Sequence, residues 1–275
     1  MKPGIFGRTY PFQTSGEIFA AAKRDGFAAV QFNLSGLGLP SLPAELNEAA
    51  LSGVAEAASA AELELAALSG TYNMAHPDRD ARQAGRRGLA NVMRAATLIG
   101  APLVTLCTGS RDAKDMWKAH PDNGSDAAWC DMREELDAAL DLAGRYGLKL
   151  GIEPEPGNVV RDARAARRLL GEVGTAPLGI VLDAANLVGT DLPRQSEIMR
   201  EAIDLLGNAL VLAHAKDMDA HEHVTCPGDG AVDLVGFTAL LRQAGYDGAL
   251  VGHGFDAADS ARAGRYLAAL VEGGV

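Results

Sequence analysis

The sequence has few cysteines and no long apolar run, and these absences narrow the class of protein. Its 275 residues include three cysteines, Cys107, Cys130 and Cys226, which are far apart and form no Cys-x-x-Cys motif. This argues against a disulfide framework and against a thiolate zinc site. Cys107 lies in an apolar run and is interpreted as a small buried side chain. No apolar stretch approaches the roughly 18 residues of a membrane span, and the N-terminus lacks the apolar segment of a signal peptide, so we expect a cytoplasmic protein.

Basic residues are also in short supply. The chain has 25 Lys and Arg against 36 Asp and Glu, which gives a formal net charge of −11. A surplus of negative charge disfavours nonspecific binding to nucleic acid and to anionic membranes. Apolar residues make up 48% and charged residues 22% of the chain, as in soluble globular proteins. We therefore expect no nucleic acid or membrane partner. The small-molecule partner that we also expect comes from the candidate site described below, and a homo-oligomer is left open.

The chain also lacks a Gly-x-Gly-x-x-Gly motif after its first predicted strand, so a dinucleotide-binding fingerprint is missing. Eight short apolar runs predict strands, at residues 4–9, 28–33, 65–71, 103–108, 149–153, 178–183, 209–214 and 249–253. Helical composition or periodicity predicts helices between most of them, at residues 44–61, 82–99, 126–146, 163–173, 194–206, 234–244 and 257–271. This alternation predicts one α/β domain over residues 1–275, folded as a (β/α)8 TIM barrel, with a doubly wound open sheet as the alternative.

Each of the last four predicted strands ends in a side chain that can bind a metal. These side chains are Glu153, Asp183, His214 and His253, separated by 30, 31 and 39 residues, and roughly 30 residues is the size of one strand–helix unit. In a parallel barrel these ends form one face. Two carboxylates and two imidazoles suit Mn, Co, Zn, Fe or Mg better than calcium. We predict one divalent ion there, with Mn or Zn favoured; the alternative is four ordinary polar strand ends.

Other polar residues accompany these strand ends. Glu155 is two residues after Glu153 and shares its face if the strand continues; it is predicted to contact substrate, or else to lie in a solvated acidic turn. Lys216 is predicted to stabilise a substrate oxygen beside the metal, with a surface lysine as the alternative. Asn186 is predicted to bind substrate hydroxyls or to cap a turn.

Three residues in predicted loops complete the candidate site. His76 and His120 each precede a proline, and both are predicted substrate contacts, although a lone His before Pro is more often loop structure. Trp117 is predicted to close the pocket over a sugar face, or else to pack the loop.

Five segments resemble the xylose isomerase-like TIM barrels, a superfamily that includes sugar phosphate isomerases and epimerases and endonuclease IV-like proteins. The matching segments are GIEPE at 151–155, IVLD at 180–183, HAKD at 214–217, YDGAL at 246–250 and TLCTGSRD at 105–112. In sugar epimerases of this type the metal ligands are Glu, Asp, His and Glu, and the two glutamates act as acid and base. Glu153, Asp183 and His214 match the first three. The fourth position is His253, which can bind metal and shuttle protons, and Asn186 stands where epimerases often carry a histidine.

The resemblance implies a metal-dependent isomerase or epimerase of a small sugar or sugar derivative, acting by proton transfer beside a carbonyl through an enediolate. The predicted catalytic residues are Glu153, Lys216 and His253. Three alternatives stay open at this point: an endonuclease IV-like phosphodiesterase, a lyase or dehydratase acting on a keto-sugar, and a non-catalytic sugar-binding barrel.

Overall fold

Eight parallel strands close into a barrel in the computed structural model, which describes residues 1–274. The barrel strands follow the chain order around the ring, and the eighth pairs with the first. They are β1 (Lys2–Phe6), β2 (Ala29–Phe32), β3 (Glu64–Ser69), β4 (Leu103–Leu106), β5 (Lys149–Ile152), β6 (Leu178–Asp183), β7 (Leu210–His214) and β10 (Ala249–Gly252). A short antiparallel hairpin, β8 (Asp217–Met218) and β9 (Val224–Thr225), follows β7. The predicted (β/α)8 TIM barrel is confirmed, and closure rules out the open sheet.

Helices cover the outside of the barrel. They are α1 (Ser15–Arg24), α2 (Val54–Ala60), α3 (Arg79–Ile99), α4 (Asp126–Tyr146), α5 (Ala163–Val173), α6 (Ala184–Val188), α7 (Gln195–Leu206), α8 (Leu234–Gln243) and α9 (Ser260–Glu272). Within residues 1–274, none of them combines the length and the hydropathy needed to cross a membrane.

Three of these helices depart clearly from the sequence prediction. Helix α1 was not predicted, although Thr14 caps its start: the Thr14 hydroxyl oxygen accepts the Glu17 N–H at 3.3 Å. The five-residue helix α6 was not predicted either. The helix predicted at 44–61 was too long, because Gly53 adopts a φ of +84° and separates a 3-10 turn (Glu48–Leu51) from α2. Only glycine adopts that backbone conformation without strain, so the chain turns there.

Small side chains allow the barrel interior to pack tightly. A Cβ added at Gly179 of β6 would lie 2.2 Å from Val211 Cγ1 of β7, so only glycine lets these neighbours approach. A separate apolar cluster that includes Leu103 and Val181 is formed by the barrel strands. The polar side chains of interest come from the carboxyl ends of the strands, where this apolar packing gives way to loops.

Candidate metal centre and surrounding site

Four strand ends bring the predicted ligands together. Asp183 and His214 are register partners on β6 and β7, whereas Glu153 and His253 directly follow β5 and β10. One ligand atom from each side chain lies within 4.8 Å of the others. Glu153, Asp183 and His214 are buried and His253 is half-buried. Residues up to 100 positions apart therefore form one compact group at the carboxyl face of the barrel.

Direct contacts orient these four side chains. His214 Nδ1 lies 3.1 Å from Glu153 Oε1 and 3.9 Å from Asp183 Oδ2. His253 Nε2 lies 2.9 Å from the same Asp183 oxygen, and the two imidazole rings meet edge to face with centroids 4.7 Å apart. Burying two carboxylates is costly unless cations or hydrogen-bond donors compensate them. A converging set of carboxylate oxygens and imidazole nitrogens fits a divalent cation, so the group is a possible metal-binding site.

Asp183 has its two oxygens in different surroundings. Oδ1 accepts the N–H groups of Ala185 at 2.8 Å and Asn186 at 3.3 Å, which caps helix α6. Oδ2 faces His253 and Lys216. Burial alone would raise the pKa of Asp183, but the positive charge of Lys216 and contacts with His253 and His214 outweigh it and hold this pKa below its usual value. The carboxylate is therefore ionised in the ordinary pH range.

Lys216 and Asn186 extend the group on one side. Lys216 Nζ donates a hydrogen bond to Asn186 Oδ1, and Asn186 Nδ2 donates to Glu153 Oε1 at 3.0 Å. Burial opposes the charge on Lys216, yet Asp183, Glu155 and Glu153 raise the pKa of its ammonium group above the usual value. Lys216 is thus an ammonium ion whose Nζ lies 3.9 Å from Asp183 Oδ2. The structure brings Lys216 and Asn186, both predicted site residues, next to the four candidate ligands.

Glu155 and Cys107 border the group beside Glu153. Ligand atoms of Cys107, Glu153 and Glu155 also lie within 4.8 Å of one another. Burial and the charge of Glu153 raise the pKa of Glu155 to about 8. Cys107 is buried as predicted, and burial raises the pKa of its thiol. Its Sγ lies 4.0 Å from Glu153 Oε2, a contact with the site that the sequence prediction missed.

The three predicted loop residues make contacts with the loops themselves. His76 Nδ1 accepts the Asp78 N–H at 3.0 Å, and Nε2 lies 3.1 Å from the Ala113 carbonyl oxygen. His120 Nδ1 accepts the Asp122 N–H at 3.2 Å at the start of a 3-10 turn. The side chain of Trp117 is exposed on the loop between β4 and α4. Roles for these three in substrate binding stay predictions.

Gln31 on β2 is a contact that the sequence prediction did not find. Its Oε1 lies 2.8 Å from His214 Nε2, and its Nε2 donates to Thr105 Oγ1 on β4 at 3.1 Å. Gln31, Thr105 and His214 are all buried. The available signal was a glutamine inside an otherwise apolar strand, since a buried amide requires hydrogen-bond partners.

Structures with this fold include a sugar epimerase and an epimerase-like protein. The 3-keto-D-glucoside 4-epimerase YcjR from E. coli is 20% identical, with a TM-score of 0.76 over 99% of both chains. A D-tagatose 3-epimerase-like protein is 14% identical, with a TM-score of 0.77 over 100% of this chain and 98% of that chain. The IolI protein, solved with a bound zinc atom, is 16% identical, with a TM-score of 0.76 over 100% and 99% of the two chains. At such identities the likeness is one of fold.

The sequence itself supplies the family assignment. A search of curated proteins gave no match. The model of the family described as "Xylose isomerase-like TIM barrel" matches residues 19–269, which covers most of the chain and every strand from β2 to β10. The resemblance of the five segments is thereby confirmed, and the chain belongs to the xylose isomerase-like TIM barrel family.

Proposed function

We propose that this protein is a divalent-metal-dependent isomerase or epimerase of a small sugar or sugar derivative. The convergence of Glu153, Asp183, His214 and His253 beside the ammonium group of Lys216 carries the proposal. The sugar epimerase and the epimerase-like protein among the structures of like fold support the substrate class. The site faces the loops of a TIM barrel, where enzymes of this fold hold their substrates.

The four converging side chains are the proposed ligands of one ion, with manganese or zinc favoured over cobalt, iron and magnesium. The bound zinc of IolI supports a metal in this fold. A divalent ion there would polarise a carbonyl and an adjacent hydroxyl, which acidifies the neighbouring carbon-bound hydrogen.

Glu153 is the proposed proton acceptor. It directly follows β5 and precedes Pro154, so the backbone holds its position at the strand end. The Asn186 amide donates to its Oε1, which orients the carboxylate beside the ligand group. Proton transfer needs such a positioned base within reach of the substrate carbon.

Lys216 and His253 are proposed to act after Glu153 has removed the proton. Lys216 would stabilise the negative charge that forms, and His253 would serve the face on which the second proton transfer takes place. The Lys216 ammonium ion lies on the same side as Asn186 and would stabilise the negative oxygen of an enediolate. His253 stands where family epimerases carry their second glutamate. Its half-buried ring is assigned to the second face of the substrate in one of two roles: as a ligand of the ion, which uses the lone pair of the bound nitrogen, or unligated, as the group that exchanges the second proton.

Exchange of a carbon-bound hydrogen with solvent tests this function. Wild type with manganese or zinc would be incubated in D2O with a panel of ketohexoses and 3-ketoglucosides, and deuterium would be located by NMR. Glu153→Gln keeps the shape but removes the basic carboxylate, so exchange should fall by at least about 10²-fold. Glu56→Gln, on the exposed surface of α2, is the matched control. Absence of exchange across the panel would overturn the proposal, whereas wild-type exchange in Glu153→Gln would move the base to Glu155.

A further inference from the structure

We propose that Gln31 is a positioning residue that holds the proton of His214 on Nε2 and thereby keeps Nδ1 available as the ligand atom. This proposal rests on the function proposed above, because it concerns the same metal group. It adds to the site a residue from the opposite side of the barrel, and that residue offers no ligand atom of its own.

The two nitrogens of the His214 ring face different surroundings. Nδ1 faces the ligand group, 3.1 Å from Glu153 Oε1 and 3.9 Å from Asp183 Oδ2. Nε2 points away from that group and lies 2.8 Å from Gln31 Oε1. Only Nδ1 is therefore placed to bind an ion shared with Glu153 and Asp183.

The identity of the partner atom decides which nitrogen carries the hydrogen. A neutral imidazole has one N–H and one lone pair, and a carbonyl oxygen only accepts. Gln31 Oε1 therefore requires a hydrogen on Nε2. Glu153 Oε1 also only accepts, so Nδ1 can donate to it while no ion is bound; an ion shared with Glu153 and Asp183 would displace the Nδ1 hydrogen and leave Nε2–H in place. Partners of this kind fix the tautomer and the ring orientation of metal-binding histidines.

Thr105 supports the orientation of the amide. Gln31 Nε2 donates to Thr105 Oγ1 at 3.1 Å, and both side chains are buried. Turning the amide over would present its NH2 group to His214 and would favour the other tautomer. Gln31 thus connects two other barrel strands. Its amide contacts Thr105 on β4 and the His214 ring on β7.

Metal affinity provides the first test. Gln31→Met keeps nearly the same shape but removes the acceptor, and Gln31→Glu keeps an acceptor oxygen. Competition with a chelator would give the zinc dissociation constant of each protein. We expect Gln31→Met to bind zinc about 10–100-fold more weakly and Gln31→Glu to bind as wild type does. Gln83→Ala, on the exposed face of α3, is the control. Equal affinity of Gln31→Met and wild type would overturn the proposal.

The ring hydrogen provides a second test that does not depend on metal. NMR of protein with 15N-labelled histidine should show a slowly exchanging Nε2–H of His214 in wild type and its loss in Gln31→Met. An unchanged Nε2–H signal in that variant would refute the role of Gln31. If wild type binds no metal, the proposed function fails while this measurement still decides the role of Gln31. Should Gln31→Met unfold, Gln31→Leu replaces it, with the same loss of the Nε2–H signal expected because that side chain also lacks an acceptor.

Discussion

The two halves of the barrel contribute to the site in different ways. The second half, β5 to β10, supplies the ionisable side chains Glu153, Asp183 and His214, with His253 after its last strand. The first half supplies the neutral side chains of Gln31 and Thr105. The comparison teaches that, in the proposed function, charged groups would provide the chemistry and uncharged buried partners would orient one of those groups.

One loop in each half shows the same contrast between a charged and a neutral side chain. After β7, the carboxylate of Asp217 accepts four backbone N–H groups, from Met218, Gly228, Gly230 and Val232, at 2.9–3.2 Å. After β3, the amide of Asn73 organises the next loop: it accepts the Ser110 N–H at 2.9 Å and donates to the Ser110 carbonyl oxygen at 2.9 Å. An ionised group holds one loop and a neutral amide holds the other.

Removing a charged ligand from the second half should have the largest effect. Asp183→Ala and His214→Ala should each lose stoichiometric metal, since every ligand lost weakens such a site strongly. Elemental analysis of protein purified without chelator measures this. Asp204→Ala and His221→Ala alter exposed residues of the same types and should keep the metal. Full retention in both site variants would show that the second half does not supply the ligands.

Loss of the charged loop organiser should come next. Asp217→Ala leaves four backbone N–H groups without their acceptor, and hydrogen bonds to charged groups contribute about 1.5–3 kcal/mol each when a partner is removed. Water will replace some of them, so we expect about 3 kcal/mol of lost stability. Urea unfolding measures it, with Asp141→Ala on the exposed face of α4 as the control. A loss no greater than that of the control would remove Asp217 from this role.

The neutral organiser should matter less. Asn73→Ala removes uncharged hydrogen bonds to Ser110, and we expect a loss of about 1–2 kcal/mol. Faster hydrogen exchange should be confined to the loop between β4 and α4. Asn47→Ala, an exposed position, serves for comparison. If Asn73→Ala destabilises the protein more than Asp217→Ala does, the contrast between charged and neutral organisers is reversed.

The smallest effect on stability is expected at the boundary between the two halves, where helix α4 contacts helix α5. Glu172 on α5 accepts the Trp129 indole N–H from α4 at 2.9 Å and contacts Arg168 at 2.8 Å. Partial burial would raise its pKa, but hydrogen bonds from Trp129 and Arg168 lower the pKa of Glu172 below the ordinary 4.5.

The sign of the pH dependence follows from that depressed pKa. The stabilisation by Glu172 is fully present above the unfolded-state value of 4.5 and is lost as pH falls through the lower folded-state value. The unfolding midpoint of Glu172→Gln should therefore lie slightly below that of wild type at pH 7, and the gap should close at acid pH. The change is small because exposed ion pairs contribute about 1 kcal/mol or less. A gap that widens in acid would contradict the assignment.

The strand ends could be predicted from the sequence because strands are local patterns. Apolar runs marked all eight barrel strands, and the residue that ends or directly follows each of the last four gave the four predicted ligands. Gln31 could not be found this way, since its partner His214 lies 183 residues further along the chain. Helix α1 is only ten residues long, and its local signals, the Thr14 cap and the buried Ile18, Phe19, Ala21 and Ala22 at helical spacing, were missed. One domain over residues 1–275 and a cytoplasmic location stay predictions.

The cap of helix α6 limits what Asp183 can offer a bound ion. Its Oδ1 already accepts two backbone N–H groups, from Ala185 and Asn186, whereas Oδ2 faces the side chains of His253 and Lys216. If Asp183 binds an ion as proposed, Oδ2 is the oxygen left to bind it, and the binding would be monodentate. Each ligand oxygen that the protein does not supply leaves a coordination position of the ion open. Two adjacent oxygens of a sugar could fill two such positions. In the proposed function, the start of one short helix would thereby set the denticity of a ligand and, with it, the room left for a substrate.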